Sequence, residues 1–594
     1  MKKPWSISTT VRNPERLRDF LRVLKTLEGK EFNEDNQILF QVLLIKERLY
    51  KPNNIPLKYK KYYEDVERKI PIKVARQIFE YQEYQDPPMR GRQSVNPLNK
   101  LGFAIARQGY DSIRITNLGN LFLNEDYDIG YIFFRSLLKL QFPNPWSNDF
   151  SKKDGFNIMP LIGVLHLIYE LDRCEVKKGL SKKEFCLFVP TLINFEQIEE
   201  QVKKIINYRQ QKGKTEKEKF AKQYIKEFYG ISGDITDKKI NNIFDYGDNI
   251  IRYLRLTKYL QVRSDALGEH WRIDLEPTRL TQIEQIIKKY NGQMFRFESI
   301  KDYLDWIADI DLPELPWEKI GKLREIIENL RKTIIDYSNA KGLKLDGVKK
   351  KYSISEKIEL MPKKELLKYL EELRKMNLEL KVSEKKKELK YNSEQINKTI
   401  KILEDPKQIK KLEPEQFEKL INDALLMIDD ELLIKPNFPV DDNGEPISHA
   451  PGKKADIECY YESFNATCEV TLDRSNRQWV RETQPVMRHL REFENSNIGK
   501  EAICIFIAPS INNDTYSIFF NSVVHEYDGR KQKIVPITTQ QFANILRKLL
   551  KNIEKEEKNT HEELLKLFNE LINKAEVARG FTEWANMIQK IVMA

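Results

Sequence analysis

The run Ile503–Ile507 (ICIFI) constrains the fold more than any other stretch. Five apolar residues stand in a row, with Gly499 and Lys500 before them and Pro509 soon after. The run is short for a helix and lacks the polar alternation of a strand with one wet face. It reads as a central strand covered on both sides. Its neighbours agree. ADIECYY and FNATCEVT read as strands, and NRQWVRETQPVMRHLREFEN reads as a helix leading towards AICIFIAP. KIVPIT is a further strand, running into the helix TQQFANILRKLLKNI, and the helix EPEQFEKLINDALLMI precedes the whole set. This order predicts an α/β domain within residues 401–594.

Upstream the pattern is different. Residues 14–50 predict two helices, the first with Pro14 in its opening turn, Leu17, Leu21 and Leu24 on one face, and Gly29 past its end. Another helix is expected over 70–85 and a short one around Leu98–Leu101. Two alternating strands follow, Phe103–Arg107 and Ser112–Thr116, joined by the turn QGYD, and then a helix from Asn117. Helices before a tight hairpin are the outline of a winged helix-turn-helix. The outline recurs: helices at MPLIGVLHLIYEL, at LSKKEFCLFVP (Ser181 as N-cap), at 194–211 and at 240–257, then a hairpin YLQVR/HWRIDL and the helix TRLTQIEQIIKKY. Two such subdomains are expected, 1–155 and 156–295, with 213–222 a solvated basic stretch. Amphipathic helical spacing from 317 to 400 predicts a helical linker over 296–400. The expectation is a multidomain α+β chain, in keeping with its 594 residues.

Charge divides along the same lines. Lys plus Arg exceed Asp plus Glu by 13 over residues 1–300 and by 4 over 301–400, whereas acids exceed bases by 6 over 401–594. The basic part suits a polyanion and the acidic part suits divalent cations. Charged residues make up 32%, but aromatics remain at 10%, which excludes a wholly disordered chain. There is no run of about 18 apolar residues, so no membrane helix is expected. The start MKKPWSISTTV has no apolar stretch of the secretory kind. The five cysteines, Cys174, Cys186, Cys459, Cys468 and Cys504, form no CxxC pair. Neither a disulfide framework nor a zinc ribbon is expected, and the reading is cytoplasmic.

Four acids of the last domain are placed for chemistry. Asp456 lies on ADIECYY after the polar loop HAPGKK, and Glu469 on FNATCEVT. Glu482 lies on the next helix and Glu418 on the helix before the sheet. Neighbouring strands that each end in a carboxylate can bring the two to one point. Mg2+ takes one or two carboxylates and fills its octahedron with waters and phosphate oxygens; the backbone carbonyl of Val470 could complete the protein ligands. Lys453 and Lys454, just before Asp456, suit phosphate. His489 lies seven residues after Glu482, about two turns on and on the same side. His449 and His489 read as structural or substrate-side partners rather than ligands, and Cys459 and Cys468 as buried small apolar residues.

This layout resembles the PD-(D/E)xK nucleases, with two departures. Ala455, not proline, precedes Asp456, and Thr471 stands where that motif has its lysine. The opening PWSISTTVRNPERLRDFL, the segment VNPLNKLGF…ITNLG and the tail HAPGKKADIE…CEVT…ETQPVMRHL…CIFIAP…KIVPITTQQF are more specific. Together they resemble the AlwI family of type IIS restriction endonucleases, which includes large subunits of heterodimeric nicking enzymes. The resemblance implies recognition of a short asymmetric DNA site by an N-terminal module. It also implies Mg2+-dependent cleavage at a fixed distance by a C-terminal domain. It makes Asp456 and Glu469 the metal-binding acids, Glu482 a further active-site acid and Glu418 an upstream helix acid. The Thr471 departure is shared with these relatives. The implied partners are double-stranded DNA, a second copy or small nuclease subunit for double-strand cleavage, and a cognate DNA methyltransferase, in a bacterial cytoplasm.

Two other functions stay open. One is a DNA-binding regulator with an inactive nuclease-like domain, favoured by Thr471. The other is a subunit active only with a partner. Base readout is expected from Arg12 and from Arg90, Arg92, Gln93 and Asn96 in RGRQSVN, because Arg suits guanine and Gln or Asn suits adenine.

Overall fold

The computed structural model describes residues 3–593, except 9–10, 12, 65–67, 125–126, 148–149, 175–176, 264–270, 343–352, 355, 391, 429–432, 451–453, 476 and 555–560. The chain is rich in helix and forms two compact units, the first built on Met1–Arg263 and Trp271–Ile335, the second on Arg374–Ala594. No helix among the described residues is long and apolar enough to cross a membrane.

In the first unit, helices surround two small sheets. Strands β1 (Ala104–Ile105) and β2 (Arg114–Ile115) form an antiparallel hairpin. Strand β3 (Leu180–Ser181) joins β4 (Leu260–Arg263) and β5 (Arg272–Leu275) in the order β3-β5-β4. The β3 pairing was not foreseen, because two residues carry no periodicity. Ser181 does cap the following helix, in a capping box with Glu184. The helix expected around Leu98 runs over Pro87–Lys100, opened by the side chain of Asp86, which accepts from the Met89 N–H. It packs against the Glu34–Lys46 helix at Gly91, where a Cβ would lie 2.1 Å from the Gln37 carbonyl oxygen. Only glycine fits there.

Two stretches carry structure that their sequence did not announce. Residues 213–222 are largely exposed, as a solvated stretch should be, and belong to the helix Gly213–Tyr229, which buries Tyr224 and Ile225 against its neighbours. The low apolar content of GKTEKEKFAK concealed a helix whose anchors come later. The stretch 296–400 is shared between the units. Tyr303, Leu304 and Ile307 of the Ile300–Ala308 helix pack with Ile105 and Trp146. Ile396, Ile400 and Leu403 of the Ser393–Glu404 helix belong to the core of the second unit. The division falls inside two helices, Ile320–Ala340 between Ile335 and Asp336, and Lys363–Leu389 between Leu373 and Arg374.

The second unit holds a five-stranded mixed sheet in the order β10-β9-β8-β7-β6: β6 (Leu433–Pro436), β7 (Ile457–Tyr460), β8 (Phe464–Val470), β9 (Glu501–Ala508) and β10 (Ile534–Thr538). β8, β9 and β10 are parallel; β7 and β6 continue antiparallel. Every residue from Ala502 to Ala508 is buried, so both faces of β9 are covered, as the ICIFI run requires. Each such isoleucine contributes about 1.5–3 kcal/mol of burial. β6 and the Asn513–Val524 helix were not anticipated. β6 is an edge strand with only Ile434 buried, so its sequence carries little apolar signal.

Candidate active site

Antiparallel pairing of β7 with β8 sets the site. The last paired residues are Ile457 and Cys468, so one step further the register puts Asp456 opposite Glu469. Asp456 lies just before β7, and its Oδ2 accepts the Val470 N–H at 2.8 Å. The cross-strand bond therefore ties one acid to the residue after the other. Glu469, 6% exposed, is held from the opposite side: its Oε1 lies 2.8 Å from His489 Nδ1.

Glu482 arrives by a local irregularity. The helix that carries it opens with a π turn, Trp479–Thr483, before the α-helix Gln484–Ser496. Pro485 accounts for it. Proline has no N–H and its ring clashes with the carbonyl four residues back, and a π turn absorbs that misfit. Glu482 Oε1 accepts from Thr471 Oγ1 at 2.9 Å, and Thr471 Oγ1 in turn accepts the Asp473 N–H at 3.1 Å. Glu418, from the Pro414–Leu426 helix, accepts the Ala450 N–H through Oε2 at 3.0 Å.

All four acids, with Val470, Lys454 and His489, line one cleft of about 390 Å3. Their charges oppose one another. Burial, and then the neighbouring Glu469, push the Asp456 carboxyl well above its usual range, against the pull of the Val470 N–H. Burial and Glu482 do the same to Glu469. Burial raises Glu482 too, opposed by the Thr471 hydroxyl. Burial and Asp456 push Glu418 up to about 9. Such a cluster favours either bound protons or a cation. Among the described residues, no group of three or more His, Cys, Asp and Glu side chains could hold a metal ion by itself. Mg2+ takes as few as one or two carboxylates and fills its shell with waters and phosphate oxygens, a demand that Asp456 and Glu469 fit by donor type.

The other expected residues are scattered. Lys453 and Arg12 lie outside the described residues. His449 is exposed and does not line the cleft. Arg92 is engaged within the protein, its Nη1 donating to Gln37 Oε1 at 2.9 Å and its Nη2 to Asp86 Oδ2 at 2.7 Å. Arg90 stacks over the Tyr84 ring at 4.5 Å. Gln93 and Asn96 line a separate depression of the first unit. Sequence reasoning missed Arg481, which lines the acid cleft and pairs with Asp473 at 2.9 Å. Its position beside Glu482 was the only signal.

No curated protein matches the chain. Solved structures similar to it include the small subunit (R.BspD6I2) of the heterodimeric restriction endonuclease R.BspD6I, at 22% identity, covering 33% of this chain and 98% of that one, with a TM-score of 0.28. The BpuJ1 endonuclease binding domain, solved with modified DNA, is 12% identical, covering 52% and 96%, with a TM-score of 0.31. Restriction endonuclease FokI is 11% identical, covering 96% and 99%, with a TM-score of 0.22. With every TM-score below 0.5, the assignment rests on sequence alone. Residues 99–545, most of the chain and including Glu418, Asp456, Glu469 and Glu482, match the AlwI restriction endonuclease family. The chain belongs to that family, and it is a site-specific type II endonuclease.

Proposed function

We propose that this endonuclease is of type IIS: it recognises a short asymmetric DNA site with its first unit, through winged-helix-like subdomains, and hydrolyses phosphodiesters at a fixed distance with its second, a PD-(D/E)xK domain. The observation that carries the reading is the register placing Asp456 opposite Glu469 in a cleft shared with Glu482 and Glu418. Asp456, Glu469 and the Val470 carbonyl would hold Mg2+. When bound, Mg2+ lowers the pKa of a water and polarises the phosphodiester. The chain's own groups do the rest. His489 orients Glu469, Thr471 orients Glu482, and Lys454 at the rim meets phosphate.

One set of acids attacks one phosphodiester at a time. The two strands of a duplex are antiparallel, so cutting both requires a second nuclease domain, from another copy or a small subunit. A cognate DNA methyltransferase would protect the host's own sites.

The test is plasmid cleavage with Mg2+ against EDTA, followed by run-off sequencing of both strands. A single site with a constant offset supports the reading. A competing reading, a DNA-binding subunit with an inactive nuclease-like domain, draws on Thr471 standing in the lysine's place. Binding without cleavage in Mg2+ would favour it.

A further inference from the structure

A second cleft, wholly within the first unit, has the opposite character. It measures about 400 Å3 and is lined by Lys3, Lys100 and Lys239, with no Asp or Glu among the described lining residues. In a chain with 90 acids among 594 residues, that exclusion makes the cleft a place for anions.

Three segments supply its lysines and carboxamides, and Phe150 and Tyr229 line it from two others. The N-terminal segment is pinned by Trp5, whose Nε1 donates to the Leu192 carbonyl at 3.1 Å and whose N–H donates to the Pro190 carbonyl at 2.9 Å. The Ser8 N–H, 3.4 Å from Asn249 Oδ1, holds its far end. The Pro87–Lys100 helix supplies Gln93, Asn96 and Lys100, and the Asp237–Arg255 helix supplies Lys239 and Asn242. Aromatic faces position the ammonium groups. Lys3 and Lys100 lie 4.8 and 5.7 Å from the Phe150 ring centroid, and Lys239 lies 5.1 Å from that of Tyr229. Gln93 and Asn96 are three residues apart, hence on one helix face. Their carboxamides carry the donor–acceptor pair that matches the adenine edge, and Arg90 Nη1 lies 3.4 Å from Gln93 Oε1, a contact that a base would replace.

We propose that DNA is gripped and read in this cleft rather than by the Arg90 and Arg92 side chains: Lys3, Lys100 and Lys239 take phosphates, and Gln93 and Asn96 meet base edges. The proposal rests on the endonuclease reading above and names the part of the first unit that carries specificity. Arg90 and Arg92 instead hold the start of the helix, through Tyr84, Asp86 and Gln37.

The experiment uses the full chain without Mg2+ and fluorescence anisotropy on two duplexes, one with the cleaved sequence and one scrambled, across a KCl series. Lys3→Gln and Lys239→Gln should weaken both duplexes by the same factor and each lower the salt slope by about 1. Gln93→Leu and Asn96→Leu should reduce the preference for the cleaved sequence by roughly 10- to 100-fold with the slope unchanged. Lys214→Gln, a position 82% exposed and outside the cleft, should change neither. Variants that bind both duplexes like the wild type, at the same slope, would overturn the proposal. So would millimolar dAMP binding that the four cleft substitutions abolish while duplex binding persists, which would make the cleft a mononucleotide site. Wild-type cleavage with Mg2+ is scored in parallel. If the wild type cuts and the variants bind normally, only the cleft assignment fails; if it does not cut, the endonuclease reading fails first.

Discussion

Thr471 Oγ1 donates a 2.9 Å hydrogen bond to Glu482 Oε1, joining the end of β8 to the π turn on the next helix. In the proposed PD-(D/E)xK reading Thr471 takes the lysine's place, and its hydroxyl orients an acid instead of supplying an ammonium. The same oxygen accepts the Asp473 N–H, so removing it takes a hydrogen bond from two half-buried partners. Thr471→Val should therefore slow single-turnover cleavage by about 10-fold or more, whereas Thr471→Ser should stay within a few-fold. Equal rates for Thr471→Val and wild type would show that Glu482 needs no such partner.

Asp456→Ala or Glu469→Ala should abolish cleavage and leave specific DNA binding nearly intact, because binding is assigned to the other unit. Ca2+, as a non-cleaving probe, should raise the Tm of the wild type and not of Asp456→Ala, since a ligand that binds only the folded state stabilises it. Calorimetry and a gel-shift assay check both halves. Near-normal cutting by either alanine variant would displace the site.

Glu418, at about 9, predicts a pH dependence with a definite sign. Between roughly pH 4.5 and 9 the folded chain keeps a proton that the unfolded chain releases. The unfolded state binds fewer protons there, so stability falls as pH rises, by at most about 1.4 kcal/mol per pH unit for one group. Glu418→Gln should flatten the fall in urea unfolding of the second unit in EDTA. A steeper fall in the variant would reverse the assignment.

Lys139 predicts the opposite slope in the first unit. Its ammonium is fully buried, contacts the carbonyls of Trp306 and Asp309, and is pushed down to about 7 by burial and then by Arg135. From about pH 7 to 10.5 the unfolded chain binds the proton that the folded chain has lost, so this group adds stability as pH rises. Replacing it by methionine should remove that rise from the first unit's unfolding curve. An unchanged slope in Lys139→Met would assign the dependence to other groups.

Strand count follows from the one set of Asp456, Glu469 and Glu482 that the chain carries. On a one-site plasmid, nicked circles should dominate at low enzyme, and linear product should rise steeply with concentration if a second copy supplies the other domain. Nicking that persists at all concentrations would point to a separate subunit. Linear product in step with nicked product, at enzyme far below plasmid, would refute the one-site argument.

Much of this protein is legible along the chain because the signals are local. The five apolar residues Ile503–Ile507, with Gly499 before them and Pro509 after, read as a strand covered on both faces, and they form one. Ser181 with Glu184 announces a helix start, and the spacing of Asp456 from Glu469 lets antiparallel register set them face to face. Other features depend on partners distant in sequence. The sequence gives Arg92 the chemistry of a base reader, and only the fold shows that its guanidinium donates to Gln37, 55 residues away, and to Asp86. Lys3 and Lys239 share a cleft only because Trp5 is bound to the Pro190 and Leu192 carbonyls. Thr471 reads as a lost lysine until the π turn delivers Glu482 to its hydroxyl. Periodicity and spacing thus determined four strands of the larger sheet, most of the helices and the pairing of the two strand acids, since these follow from backbone geometry. Tertiary structure alone decided which charged side chains point into a cleft and which are spent holding the fold, because that depends on the groups that packing brings alongside them.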